Sequence, residues 1–206
     1  IRDRHYIIRE AHASEVAASV FLGIMSTGAL GGLFLSFLAD KLYEFKHTYR
    51  PIIAAICSII ESILFIIFFS TPIKIDIKSN DPIEATMQLL NLLQRDTILI
   101  VVFIIFFVAM FFNSPVGAIK NSVLSDVNLP EHRATVLAGV NITELFAKSL
   151  GITLVGVLSD LIGNLRIPIM IVMSVWILSG IAWLILANYY EKDLTRVRHI
   201  IEERVK

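Results

Sequence analysis

The sequence predicts an all-α fold: a polytopic membrane helical bundle with about five transmembrane helices. Composition is the first reason. Of 206 residues, 56% are hydrophobic and only 17% charged, and the mean hydropathy is +0.74. A soluble domain of this length carries roughly a quarter charged residues and has too small an interior to hide so much apolar surface. The second reason is that five apolar runs each reach the length of about 20 residues needed to cross a hydrocarbon core of roughly 30 Å. The third is that none of these runs shows strand-like alternation, and at that depth hydrogen-bonded helices satisfy the backbone. The spans leave no room for a soluble domain, so residues 1–206 read as a single transmembrane domain.

The runs follow one another in order. The first, 16–39, carries no charge from Val16 to Ala39 and stops at Asp40-Lys41. The second, 51–71, opens at Pro51, a residue suited to helix starts, and contains Glu61 as its one charge. The third, 98–124, has Lys120 near its end and Pro115 inside it. The fourth, 134–158, holds Glu144 and Lys148. The fifth, 167–190, ends at Tyr189-Tyr190, where aromatic residues mark a membrane interface. Short charged links join most of these, and Pro130 is expected in a turn between the third and fourth.

Two further helices are predicted outside the spans. In the longer link after the second span, Asp81 can cap, Pro82 takes the first helical position and Glu84 the third. Ile83, Met87, Leu90 and Leu93 or Gln94 recur at helical spacing and suit a helix lying on the membrane surface, so membrane lipid is an expected partner. The stretch 191–206 reads as an amphipathic cytoplasmic tail, with Leu194, Val197, Ile201 and Val205 in one stripe. A membrane-surface helix is expected there, with a partner-binding helix as the other option.

Net charge is zero, which supplies no basic field for nucleic acid. A single Cys57 excludes an internal disulfide and a cysteine zinc site. His5, His12, His47, His132 and His199 lack metal-ligand spacing, no Gly-x-Ser-x-Gly elbow occurs, and neither an enzyme nor a cofactor is expected. The charged opening Ile1–His5 does not read as a signal peptide, and the lack of an initiating Met suits a fragment or a processed product. Five spans place the termini on opposite sides. Lys and Arg are slightly more numerous on the side of the Asp40–Arg50 link, which favours the cytoplasm for it and for the C-terminus.

Ionisable residues inside a membrane are expensive and mark functional candidates. Glu144 and Lys148 lie four apart near the middle of the fourth span, on one face, with Asn141 one turn earlier. Asn113, Gly117, Lys120 and Asn121 share a face of the third span; Lys120 lines a cavity or snorkels toward the nearer surface. Glu61, flanked by Ser58 and Ser62, points into the bundle, as a cavity group or as an acid bonded to those hydroxyls. Gly28 and Gly32 form a small-xxx-small face for close helix approach, and Gly151 and Gly156 are expected to serve packing.

Three local patterns resemble the major facilitator superfamily. Gly28-Ala-Leu-Gly31-Gly32-Leu-Phe-Leu-Ser36-Phe-Leu-Ala-Asp40-Lys41, with Lys46 and Arg50 following, is similar to that family's loop signature, although Ser36 and Leu42 stand where glycines are usual. Leu124-Ser-Asp126-Val-Asn-Leu-Pro130-Glu131-His-Arg133 is similar to the link between its tenth and eleventh helices. Leu150-Gly151 through Gly163 is similar to the end of the eleventh. The resemblance implies helices eight to twelve of a twelve-helix carrier, in the C-terminal half of a symporter or antiporter in the plasma membrane. A small-molecule substrate would cross by alternating access, with coupling to protons as one option. It casts Asn141, Glu144 and Lys148 as the substrate or coupling-ion cavity, to which the polar faces of the other spans add Asn113, Lys120 and Glu61, and it casts Ser36, Asp40, Lys41 and Arg50 as a conformational latch. It also implies a partner, either the missing N-terminal half or a second chain. The competing expectation is a non-transporting assembly or receptor module with the same fold, in which Glu144 and Lys148 pair and face no cavity.

Overall fold

The computed structural model describes residues 7–8, 13–73, 75 and 77–205; the charged opening Ile1–His5 lies outside them. Among the described residues the chain is a helical bundle without strands. It has five helical segments long and apolar enough to cross a membrane, which makes it an integral membrane protein.

The first segment is two helices in line, α1 (Glu15–Ser26) and α2 (Gly31–Phe45), joined by a tight 3-10 turn at Thr27–Leu30. Its cause is local. Ser26 Oγ and Thr27 Oγ1 donate to the carbonyls of Gly23 and Ile24, three residues back, at 2.7 and 2.6 Å, and such bonds compete with the regular ladder. Ser14 caps α1, its hydroxyl accepting from the Ala17 amide. The other spans are α3 (Tyr49–Ser70), α5 (Thr97–Asp126), α6 (Pro130–Ile162) and α7 (Arg166–Val205). Between α3 and α5 sits the short α4 (Pro82–Arg95), where Asp81 Oδ1 accepts from the Ile83 amide at 2.8 Å, as its spacing predicts.

Four of the five expected spans lie inside longer helical segments, and the second, 51–71, runs one residue past the end of α3. The predicted turn residue Pro130 is instead the first residue of α6, where its missing N–H leaves no bond unmade. The tail is not a separate surface helix. It continues α7, which at 40 residues is about 60 Å long, twice the hydrocarbon thickness. Leu194 and Val197 of the predicted stripe are buried, and Leu194 packs with Ala39, Ala54, Ile119, Val123 and Tyr190 at the end of the bundle.

α3 is the centre of the molecule and buries Ala54, Ala55, Cys57, Ser58, Glu61, Ser62, Phe65, Phe68 and Phe69 against α5 and α7. Lipid is as apolar as Leu, so helices in a membrane associate by close packing rather than by the hydrophobic effect. Two devices supply that packing. Phe65, Phe68 and Phe106 meet edge to face, with centroids 5.5 and 4.6 Å apart, and Phe21 meets Phe103 at 5.4 Å. Such pairs each contribute about 0.5–1.5 kcal/mol beyond area burial. The other device is the Gly28–Gly32 face. A Cβ on Gly28 would fall 2.5 Å from the Phe107 carbonyl oxygen, and one on Gly32 would strike Ser114, so α1–α2 and α5 touch nearly backbone to backbone.

α6 is different. It meets only α5 and α7 to any extent, and Val155 and Ser159 are its only buried residues. Gly151 and Gly156, expected to serve packing, have no neighbour within 4 Å of where a Cβ would stand. The helix ends at Gly163, whose φ of 70° closes a left-handed cap that most side chains would strain.

Candidate functional site

Two polar clusters stand out, one inside the membrane-spanning zone and one at the end of the bundle where α2, α5 and the tail of α7 meet. The inner cluster joins α5 to α6. Lys120 Nζ lies 2.5 Å from Glu144 Oε1, and Lys148 Nζ lies 3.7 Å from Glu144 Oε2. The sequence places the acid beside Lys148, but Lys120 holds it more closely. Helical side chains lean toward their own N-terminus. For Lys120 that direction runs away from the nearby end of α5 and into the bundle, which is why it meets Glu144 instead of snorkelling. Glu144 is half-buried, whereas Lys148 keeps 71% of its side chain exposed. One cation is therefore consumed in tying two helices, and a second stands free of that tie beside the same carboxylate.

Around this cluster the exposed surface mixes polar residues with apolar ones, among them Ile142, Leu145 and Phe146. Gly117 and Asn121 of α5 and Asn141 of α6 are exposed. Asn141 belongs to the same broad face as Glu144 and Lys148, while Asn113, two turns before Lys120 on nearly the same face of α5, meets a different partner. Its side chain meets Glu61 across the α3–α5 contact, and Glu61 is 5% exposed. The expected hydroxyl partners are otherwise engaged: Ser62 Oγ donates to the Ser58 carbonyl at 2.6 Å, and Glu61 Oε2 is buried with no hydrogen-bond partner. The six cavity candidates thus divide into Lys120, Glu144, Lys148 and Asn141 at the α5–α6 contact, and Glu61 with Asn113 at the α3–α5 contact.

The second cluster centres on Arg50. Its Nε and Nη2 donate to Asp40 Oδ1 at 3.1 and 2.7 Å, its Nη1 lies 2.5 Å from Asp126 Oδ2, and its guanidinium sits 3.9 Å from the centre of the Tyr43 ring. Tyr190 donates its hydroxyl to the same Asp126 oxygen at 2.5 Å. One planar cation therefore links α2, α3 and α5, and Asp126 extends the link to α7. Arginine suits this place because its fork reaches two carboxylates while its face stacks on an aromatic ring. Of the predicted latch residues, Asp40 and Arg50 belong to the cluster; Ser36 is half-buried one turn away and Lys41 is exposed. Asp126, Tyr43 and Tyr190 complete it. The signal for Asp126 lies in the sequence, as the third residue of the pattern that runs from Leu124 to Arg133, but nothing in spacing alone joins it to Arg50.

A third tie closes the same end. Arg204 Nη1 in the tail lies 2.5 Å from Glu131 Oε1 at the start of α6, and Arg198 donates to the Tyr43 hydroxyl at 3.3 Å. Among the described residues no group of three His, Cys, Asp or Glu is placed to hold a metal ion. No protein-family model matches the chain, and no curated protein matches it.

Proposed function

We propose that this chain is the C-terminal part of a secondary transporter of the major-facilitator type, moving a small solute by alternating access. The observation that carries the reading is the condition of α6. It bears an acid and a base within its span and is exposed on almost every side. A membrane helix with polar and ionisable groups is stable when they face protein or a water-filled route, so α6 calls for further helices opposite its free faces. Gly139, Thr143, Ala147 and Gly151 recur every four residues on α6, and each glycine has open space around it. Such a row of small residues suits close approach by another helix. In this reading the partner is the N-terminal half of the same carrier or a second chain, Glu144 and Lys148 face the route between the halves, and the Arg50 cluster lies on the cytoplasmic side as the latch.

Cysteine accessibility tests it. Cys57 is buried and serves as a silent background. In cells making the complete protein, Asn121→Cys and Asn141→Cys should react with a membrane-impermeant maleimide, and Ile104→Cys, on a lipid-facing row of α5, should not. If Asn121→Cys and Asn141→Cys are as inert as Ile104→Cys, no aqueous route runs along these faces. The competing reading, a non-transporting module, draws on the Lys120–Glu144 pair acting as a structural pin, and it predicts that inert outcome.

A further inference from the structure

We propose that α4 lies along the bilayer surface beside the bundle and sinks its Ile83–Met87–Leu90 edge into the boundary between lipid headgroups and acyl chains. The inference uses only the membrane-spanning bundle and is independent of transport.

Successive residues of a helix turn by about 100°, which sorts the residues of α4 onto three faces instead of the usual two. The first holds Ala85 and Leu89, both buried, with Leu92 and Leu93 packed partly beside them; it faces α1 and α5. The second holds Glu84, Gln88, Asn91 and Arg95, polar throughout, with Gln88 donating to Glu84 at 3.0 Å. The third holds Ile83, Met87 and Leu90, which are 77%, 59% and 46% exposed, and ends at the exposed Gln94. It lies about 145° around the helix from the first face and about 100° from the second. The bundle occupies the first face and water suits the second. The third is apolar over its first two turns and points away from the bundle.

The ends of α4 fix the depth of that third face. Asp96 is the hinge at one end: its amide bonds back to the Leu92 carbonyl at 3.0 Å, ending α4, and its carboxylate accepts from the Ile98 amide at 2.9 Å, starting α5. From Ile98 onward α5 presents Ile98, Ile100, Val101 and Ile104 outward, so its lipid-facing surface begins three residues past the end of α4. At the other end Ser14, the cap of α1, donates its amide to the Ile77 carbonyl and its hydroxyl to the Ser79 carbonyl, both at 2.8 Å. The apolar run of α1 begins there too. Both ends of α4 are thus held level with the first turns of two membrane spans, and a helix held so runs parallel to the surface. At that level its free apolar edge meets lipid, as interfacial amphipathic helices do. A shallow groove of about 280 Å³ lined by Pro82, Ile83, Thr86 and Met87 lies along this edge.

Spin labels on Met87→Cys and Asn91→Cys test the proposal, with the full-length protein reconstituted into phosphatidylcholine–phosphatidylglycerol vesicles. Both positions are exposed, so neither label disturbs packing. The label at 87 should relax several-fold more strongly with oxygen, which partitions into lipid, than with a water-soluble nickel chelate. The label at 91 should show the reverse. If both positions favour the nickel chelate, the edge is in water and the proposal fails. If the label at 87 is shielded from both reagents, another protein surface covers the edge, and the proposal fails in that case too.

Discussion

Lys120 and Glu144 show how a membrane reverses the usual value of an ion pair. In water an exposed pair contributes about 0–1 kcal/mol, but a charge left alone at the centre of a membrane helix costs about 2.5–3.5 kcal/mol on insertion scales. What matters is the cost of breaking the pair. Glu144→Leu leaves Lys120 and Lys148 facing each other without an acid, and Lys120→Met leaves the carboxylate with the more distant Lys148 alone. Glu144→Leu is therefore expected to destabilise the bundle by about 1–3 kcal/mol, read as a lower midpoint of thermal unfolding in detergent. Adding Lys120→Met to it should recover at least half of that loss. Additive losses in the double variant would show that the two side chains act independently. The sequence makes each of these residues conspicuous but not their pairing. Spacing along one helix favours Glu144 with Lys148, whereas the closer partner comes from 24 positions away and depends on how two helices lie side by side. The same holds for Asp126, which only the packed bundle brings to Arg50.

At the scale of elements, what the sequence reveals is whatever a single helix decides for itself. The apolar runs and the Asp81 cap are local, and the spans the runs predict fall inside the observed helical segments except at Thr71, one residue past α3. Two features are less legible. The 3-10 turn at Thr27–Leu30 needs the back-bonding of Ser26 and Thr27, and both residues are equally at home in regular transmembrane helices. The continuation of α7 into its tail depends on Leu194 finding a seat against Ala39 and Tyr190, which the stripe alone does not distinguish from a seat on lipid. Glycines show the limit most clearly, since sequence treats them alike and packing does not. Gly28→Ala sets a methyl against the Phe107 carbonyl and is expected to cost about 1–3 kcal/mol. Gly117→Ala in α5, with open space around it, should be neutral or stabilise by up to about 1 kcal/mol through helix propensity. Thermal unfolding of the two variants in the same detergent decides it; equal midpoints would mean that α1–α2 and α5 do not approach as closely as drawn.

Across the whole molecule, the bundle is fastened unequally. One end is held by the aromatic cluster of α1, α3 and α5, and the other by Arg50, which ties three helices directly and a fourth through Asp126. α3 lies among these fastenings and is the most buried span. α6 shares little of this. Its attachments are the Lys120–Glu144 pair, the Arg204–Glu131 pair, and small apolar contacts around Val155 and Ser159. An element held by a few polar ties and little buried surface is the one that moves or awaits a partner. It follows that α6 can be released without unfolding the rest. In Glu131→Gln/Glu144→Gln, both polar ties lose their charge while side-chain volume stays the same. Pulsed-dipolar distances between spin labels on α6 and α3 should then broaden, while distances between α2 and α5, set by the Gly28–Gly32 contact, keep their width. Equal broadening of both sets would mean that α6 is an integral part of the bundle's stability. If the α6 distances alone broaden, the α6 face is a surface built to be completed by other helices, as the proposed carrier requires.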